Sequence, residues 1–153
     1  MTADQYQHLL QDLAHVAGMT DPSGLIDHGR VKIGELDAVL EHAPAYDADL
    51  LQVRMRLGTL PPEGNDLSRA ILEANYVSGY GGECVFSLYP ASDDVIITMR
   101  VRLQESMTAQ ELWQGVSDVA RHGGQMWQGI VAVAQTSAGL TPSDAYASPG
   151  LRA

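Results

Sequence analysis

The chain has 153 residues, room for one domain with a single core and too little for a second of ordinary size. Apolar residues make up 45% of it, charged residues only 18%, and the formal net charge is −10, which excludes nucleic acid and anionic membrane as expected partners. No run approaches the roughly 20 apolar residues that span a bilayer, the N-terminal stretch lacks the basic start and apolar run of a signal peptide, and Cys84 as the sole cysteine excludes an internal disulfide and fits a reducing compartment.

In chain order, Tyr6, Leu9, Leu10, Leu13, Val16 and Ala17 recur at helical spacing behind a capping box of Thr2 and Gln5, and Gly18 ends that helix. From Leu25 to Leu57 the period falls to two. Val31 and Ile33 alternate with Arg30 and Lys32, a middle strand spans about Leu36 to His42, and a polar turn runs from Pro44 to Asp49. Leu51, Val53, Met55 and Leu57 then alternate with Gln52, Arg54 and Arg56, so three short strands form an antiparallel meander. Pro61 and Pro62 close the third strand, because neither can donate to a ladder. Asn65 or Asp66 caps a second helix whose face carries Leu67, Ala70, Ile71, Ala74 and Val77, and Gly79 stops it. "ECVFSLYP" and "DDVIITMRVRL" read as the fourth and fifth strands, the latter with Val95, Ile97, Met99, Val101 and Leu103 inward. Thr108 and Glu111 box the last helix, whose stripe is Leu112, Val116, Val119, Trp127, Ile130 and Ala134. Gly123 and Gly124 fall mid-stripe and should weaken or bend it, at about 1 kcal/mol each against alanine. From Thr136 the small, Pro/Ser-rich composition predicts a disordered tail (136–153) dispensable for folding. The order α-β-β-β-α-β-β-α predicts an α+β fold over residues 1–135, with a twisted, mainly antiparallel five-stranded sheet and three helices.

Chemically active residues do not converge. His8, Asp12 and His15 share a helix face, but it is the polar one, so a solvated surface outweighs a metal site. "SGYGGE" (78–83) follows a helix and precedes a strand, the wrong order for a phosphate loop. Asp27 and His28, adjacent on an expected strand, would point to opposite faces. Cys84 alternates with Phe86 and Leu88 as a small core residue, and Trp113 and Trp127 suit core packing or an interface. With no nucleophile elbow either, neither an enzyme nor a cofactor is expected. One charge pattern stands apart. Six of the nine basic residues form i, i+2 pairs on strands, Arg30/Lys32, Arg54/Arg56 and Arg100/Arg102, which concentrates positive charge on one sheet face. Either Asp37 and Glu41 balance them by cross-strand pairing, or the face orients an acidic or polar segment of a partner.

The phrase "LQVRMRLGTLP" (51–61) followed by "LSRAILEANYVSGYGG" (67–82) resembles the Tir-chaperone family, the class I chaperones of bacterial type III secretion. "GLIDHGRVKI" in the first strand and "VIITMRVRL" in the fifth add to the resemblance, which runs from about Tyr6 to Ala134. The long tail and the Gly123–Gly124 pair depart from it. The resemblance implies a cytoplasmic bacterial chaperone that needs no cofactor or metal. Such a chaperone binds an extended segment of one effector, keeps it secretion-competent and helps target it to the secretion apparatus. It further implies a homodimer through the middle helix, with Leu67, Ala70, Ile71 and Ala74 facing the two-fold axis, or pairing with a second chaperone. Leu10, Leu13, Arg54 and Arg56 are then the expected effector contacts. The residues alone leave open a small-ligand-binding or regulatory α+β dimer without a secretion role.

Overall fold

Thr2 and Gln5 do open the first helix. The Thr2 N–H donates to Gln5 Oε1 (2.8 Å) and the Gln5 N–H to the Thr2 hydroxyl (3.2 Å), which satisfies two of the donors that a helix start leaves over. In this computed structural model, which describes residues 1–60, 65–78 and 84–138, the helix is α1 (Ala3–Val16), and it buries Leu9, Leu10, Leu13 and Ala14.

The sequence pattern fails at the next element. Ser23–His28 form a short helix, α2, and not the start of the first strand. The Asp21 carboxylate accepts from the Ser23 N–H (3.0 Å), and the Pro22 carbonyl accepts from Leu25 and Ile26 (3.0 and 2.9 Å). Gly29, at φ +65°, then ends the turn by donating to the Leu25 carbonyl (2.9 Å). A single fully buried residue, Leu25, fits either period, which is why alternation alone misled. The described chain therefore has four helices, and Asp27 and His28 both lie exposed at the end of α2 rather than split across a sheet.

The strands are β1 (Arg30–Ile33), β2 (Leu36–His42), β3 (Leu50–Thr59), β4 (Cys84–Leu88) and β5 (Asp94–Arg102). They form one five-stranded sheet in the order β1-β2-β3-β5-β4, every neighbouring pair antiparallel. One face carries the core: Leu51, Val53, Met55 and Val95 are completely covered, packed with Leu10 and Leu13 of α1 and Val116 of the last helix. Fully burying such side chains stabilises by about 1.5–3 kcal/mol each. Helix α3 (Asn65–Ser78) links β3 to β4, and α4 (Ala109–Ala138) follows β5.

Helix α4 starts as its box foretells, with the Thr108 N–H donating to Glu111 Oε2 (2.9 Å) and the Glu111 N–H to the Thr108 hydroxyl (3.2 Å). It is not interrupted at Gly123–Gly124. A Cβ on Gly123 would come within 2.9 Å of Ile97 Cδ1, so this glycine lets the helix lie close on the sheet. Gly124 faces open space, and nothing in the structure explains it. Helix α4 also runs past the boundary expected at Gln135, to Ala138. The rest of the expected tail, the double proline and the Gly79 stop lie outside the described residues. Gly58 has a comparable role in β3. The register against β5 shifts between Arg56 and Gly58, and a Cβ there would meet the Trp127 indole nitrogen at 2.7 Å. The bulge and the missing side chain together seat the buried Trp127 against the strand.

Candidate partner-binding surfaces

An edge strand presents unpaired backbone groups, so both edges of this sheet need an account. At β4 the answer is Asn75 of α3. Its Nδ2 donates to the Phe86 carbonyl (2.9 Å), and its Oδ1 accepts from the Phe86 N–H (2.7 Å). Asn75 thus pins α3 to the sheet and satisfies both backbone groups of Phe86 at that edge. Asn75→Ala should lower stability by about 1–3 kcal/mol, since it leaves both backbone groups without their partner. A urea midpoint equal to that of the unaltered chain would show that the amide pair contributes nothing.

The other edge is β1. The Gly29 carbonyl accepts from the Leu40 N–H (2.8 Å), so the bonded pairs further along the ladder are Val31↔Ala38 and Ile33↔Leu36. Arg30 and Lys32 consequently turn their backbone groups outward, away from β2. A Cβ on Gly24 would lie 3.5 Å from the Arg30 carbonyl oxygen, so α2 flanks the start of this edge.

The sheet's outer face carries all three basic pairs. One cross-strand row reads Arg30, Val39, Arg54, Thr98, Val85 from edge to edge. Over β1–β3, a groove of about 920 Å³ is lined by Arg30, Lys32, Arg54 and Arg56, with Asp21 and Asp37 as its acids and Val39, Ile96 and Tyr89 as apolar floor and wall. A second trough of about 390 Å³ continues over β5 and β4 past Arg54 and Arg100. Three of these cations are already engaged. Arg54 pairs with Glu41, Arg56 Nη2 with Asp94 Oδ1 (2.8 Å) and Arg102 Nη1 with Asp47 Oδ2 (2.6 Å). Asp94 also accepts from the Ser92 hydroxyl (2.8 Å) and the Thr59 hydroxyl (2.9 Å). These bonds, Ser92's foremost and then those of Thr59 and Arg56, hold its carboxyl below the usual carboxylate range. The Asp49 N–H and then Arg102 do the same for Asp47. Cross-strand balancing therefore operates through Glu41, as one reading of the sequence expects, while Asp37 forms no ion pair among the described residues.

The expected contact residues divide sharply. Arg54 and Arg56 do line the groove. Leu10 and Leu13 do not reach any surface; both are buried in the core, because the apolar stripe of α1 is used up against the chain's own sheet and α4. On α3, Leu67 and Ile71 are buried within this same chain, Ile71 to 4% exposure, and Ala70 and Ala74 are half-buried. The face that α3 turns outward carries Leu72 (68% exposed) and Tyr76 (74% exposed) instead. Their signal was present in the sequence as two apolar residues at i, i+4 outside the core stripe. Cys84 is half-buried against the core and Trp127 buried in it. Among the described residues no group of three His, Cys, Asp or Glu is placed to hold a metal, and no helix is long and apolar enough to cross a membrane.

Comparison with known proteins adds a family. Residues 8–114 match the family model of the Tir chaperone protein (CesT) family. No curated protein matches the sequence. Among solved structures, the fold is similar to a chain in the crystal structure of the ExsC–ExsE complex, with a TM-score of 0.65 and 15% identity, covering 84% of this chain and 95% of that one. It is also similar to a chain in the crystal structure of the Yersinia pestis type III secretion chaperone SycH in complex with a stable fragment of YscM2. There the TM-score is 0.56 and the identity 21%, covering 79% of this chain and 98% of that one. At these identities the likeness is one of fold.

Proposed function

The chain belongs to the Tir chaperone protein (CesT) family, and from that premise we propose that it holds an extended segment of one effector in the bacterial cytoplasm. It keeps that segment secretion-competent and helps bring it to the type III secretion apparatus. As a family member the chain is a chaperone of type III secretion and acts by binding partner protein rather than by turnover. The observation that carries the finer reading is the asymmetry of the sheet: Asn75 bonds both backbone groups of Phe86 at the β4 edge, whereas Arg30 and Lys32 of β1 turn their backbone groups away from β2, beside a basic groove. An extended segment can satisfy those groups and set alternate side chains over the groove. Partner proteins named with the two similar structures, ExsE and a fragment of YscM2, favour a polypeptide client over a small molecule. Ordering such a client costs conformational entropy, so affinity is spread over several anchors rather than fixed by one. The active unit is a dimer, of two copies or with a second chaperone, formed across the Leu72–Tyr76 face of α3.

Limited proteolysis of the chain co-expressed with a candidate effector from its host tests this reading. Protection of a segment tens of residues long, with no cooperative melt of its own, is the expected result. Protection of nothing but a compact globular domain would overturn it.

A further inference from the structure

The strand-borne cations are not equivalent. Arg54, Arg56 and Arg102 each hold a carboxylate of this chain. Arg30 and Lys32, both exposed on the edge strand, form no ion pair among the described residues, although Lys32 stands opposite Asp37 in the ladder. We propose that the groove along β1 takes an extended client stretch with carboxylates at alternate positions, set against Arg30 and Lys32. This inference rests on the chaperone reading above and gives the client its chemistry.

Spacing supplies the first argument. Residues i and i+2 on a strand lie about 6.6–6.8 Å apart and point to one face. An extended peptide repeats that interval, so acids at alternate positions meet both cations without a bend. The residues between them turn to the opposite face, the one on which Val31 and Ile33 lie. Charge supplies the second. Of the groove's four cations, Arg54 and Arg56 already hold Glu41 and Asp94, so Arg30 and Lys32 are the two without an ion pair among the described residues, on a chain of net charge −10. An acidic segment is repelled by most of this surface and attracted here, which selects both the place and the register of docking. The same two cations oppose a second copy of β1, because like charges would face each other across the new ladder. The edge thereby resists self-pairing while it accepts a strand of opposite charge.

The test uses the full chain and three short fluorescent peptides read by anisotropy. One alternates Glu and Val, one alternates Gln and Val, and one has the composition of the first with its Glu residues grouped in a block. The alternating Glu peptide should bind tightest and weaken as salt is raised. Arg30→Glu with Lys32→Glu should weaken it by roughly tenfold and leave the melting curve in place. Arg100→Glu, on the same face three strands away, should change it by no more than about twofold. Arg30→Gln with Lys32→Gln provides a milder pair in case the reversal disturbs folding. Equal binding of the Gln peptide, equal binding of the block peptide, or indifference to both double variants each overturns the proposal. Should the peptides show no Glu preference while proteolysis still reveals a protected client segment, the acidic pattern alone is lost. Should the preference hold with no protected segment, it is the chaperone reading that fails.

Discussion

Gly29→Ala is expected to destabilise this domain by on the order of 3 kcal/mol or more, a large share of the roughly 5–15 kcal/mol that holds an ordinary domain folded. Two effects act at one atom. Gly29 sits at φ +65°, where a side chain strains the backbone, and its added Cβ would be driven onto the Leu40 carbonyl oxygen. The obstruction is main chain, which no rotamer can relieve. Nor can Gly29 shift, since its N–H donates to Leu25 (2.9 Å) and its carbonyl accepts from Leu40 (2.8 Å), tying the end of α2 to the first rung of the β1–β2 ladder. Gly18 and Gly34 provide the control. Their φ values, +66° and +61°, are nearly the same, but a Cβ at either meets nothing within 4 Å. Alanine there should cost only about 1–2 kcal/mol, the strain of the left-handed conformation alone. Urea midpoints of the three variants decide the matter: a Gly29→Ala midpoint no lower than that of Gly18→Ala would show that the contact with Leu40 is relieved by movement.

The same region shows what the sequence made legible and what it hid. Strand β2 and the box opening α4 could be placed because alternation and capping are local: a side chain's face follows from its neighbours. Helix α2 left a fainter trace. Its punctuation was present, with Asp-Pro ahead and glycine behind, but six residues with a single buried leucine cannot establish a period. The insertion of β5 between β3 and β4 is a non-local pairing that no window of sequence records. The basic face was legible for the converse reason, since strand alternation alone puts all three pairs on one side. Which of those cations are engaged was not, because Asp94 and Asp47 reach Arg56 and Arg102 only once distant strands have paired.

Helix α3 carries the second large effect, and it turns on two adjacent residues. The stripe that reads most plainly as apolar, Leu67 to Ala74, is drawn into the chain's own core, so a surface for a partner has to be sought among the apolar residues left outside it. Ile71→Asp should therefore unfold the subunit. It would place an unpaired carboxylate at a site 4% exposed, at about 3–5 kcal/mol by comparison with broken buried ion pairs. Leu72→Asp should leave the subunit folded, because Leu72 is 68% exposed before any partner arrives. If α3 packs on its copy across a two-fold axis, that substitution is felt twice in each dimer. Burying a leucine is worth about 1.5–3 kcal/mol, so two partial losses weaken association by roughly a hundredfold. Light scattering and a thermal melt on both variants separate the alternatives. A Leu72→Asp chain that melts normally but has a monomer's mass by light scattering places the interface on the outward face of α3. If it remains a dimer at unchanged affinity, the outward pair Leu72 and Tyr76 belongs to some other surface and the proposed interface is wrong.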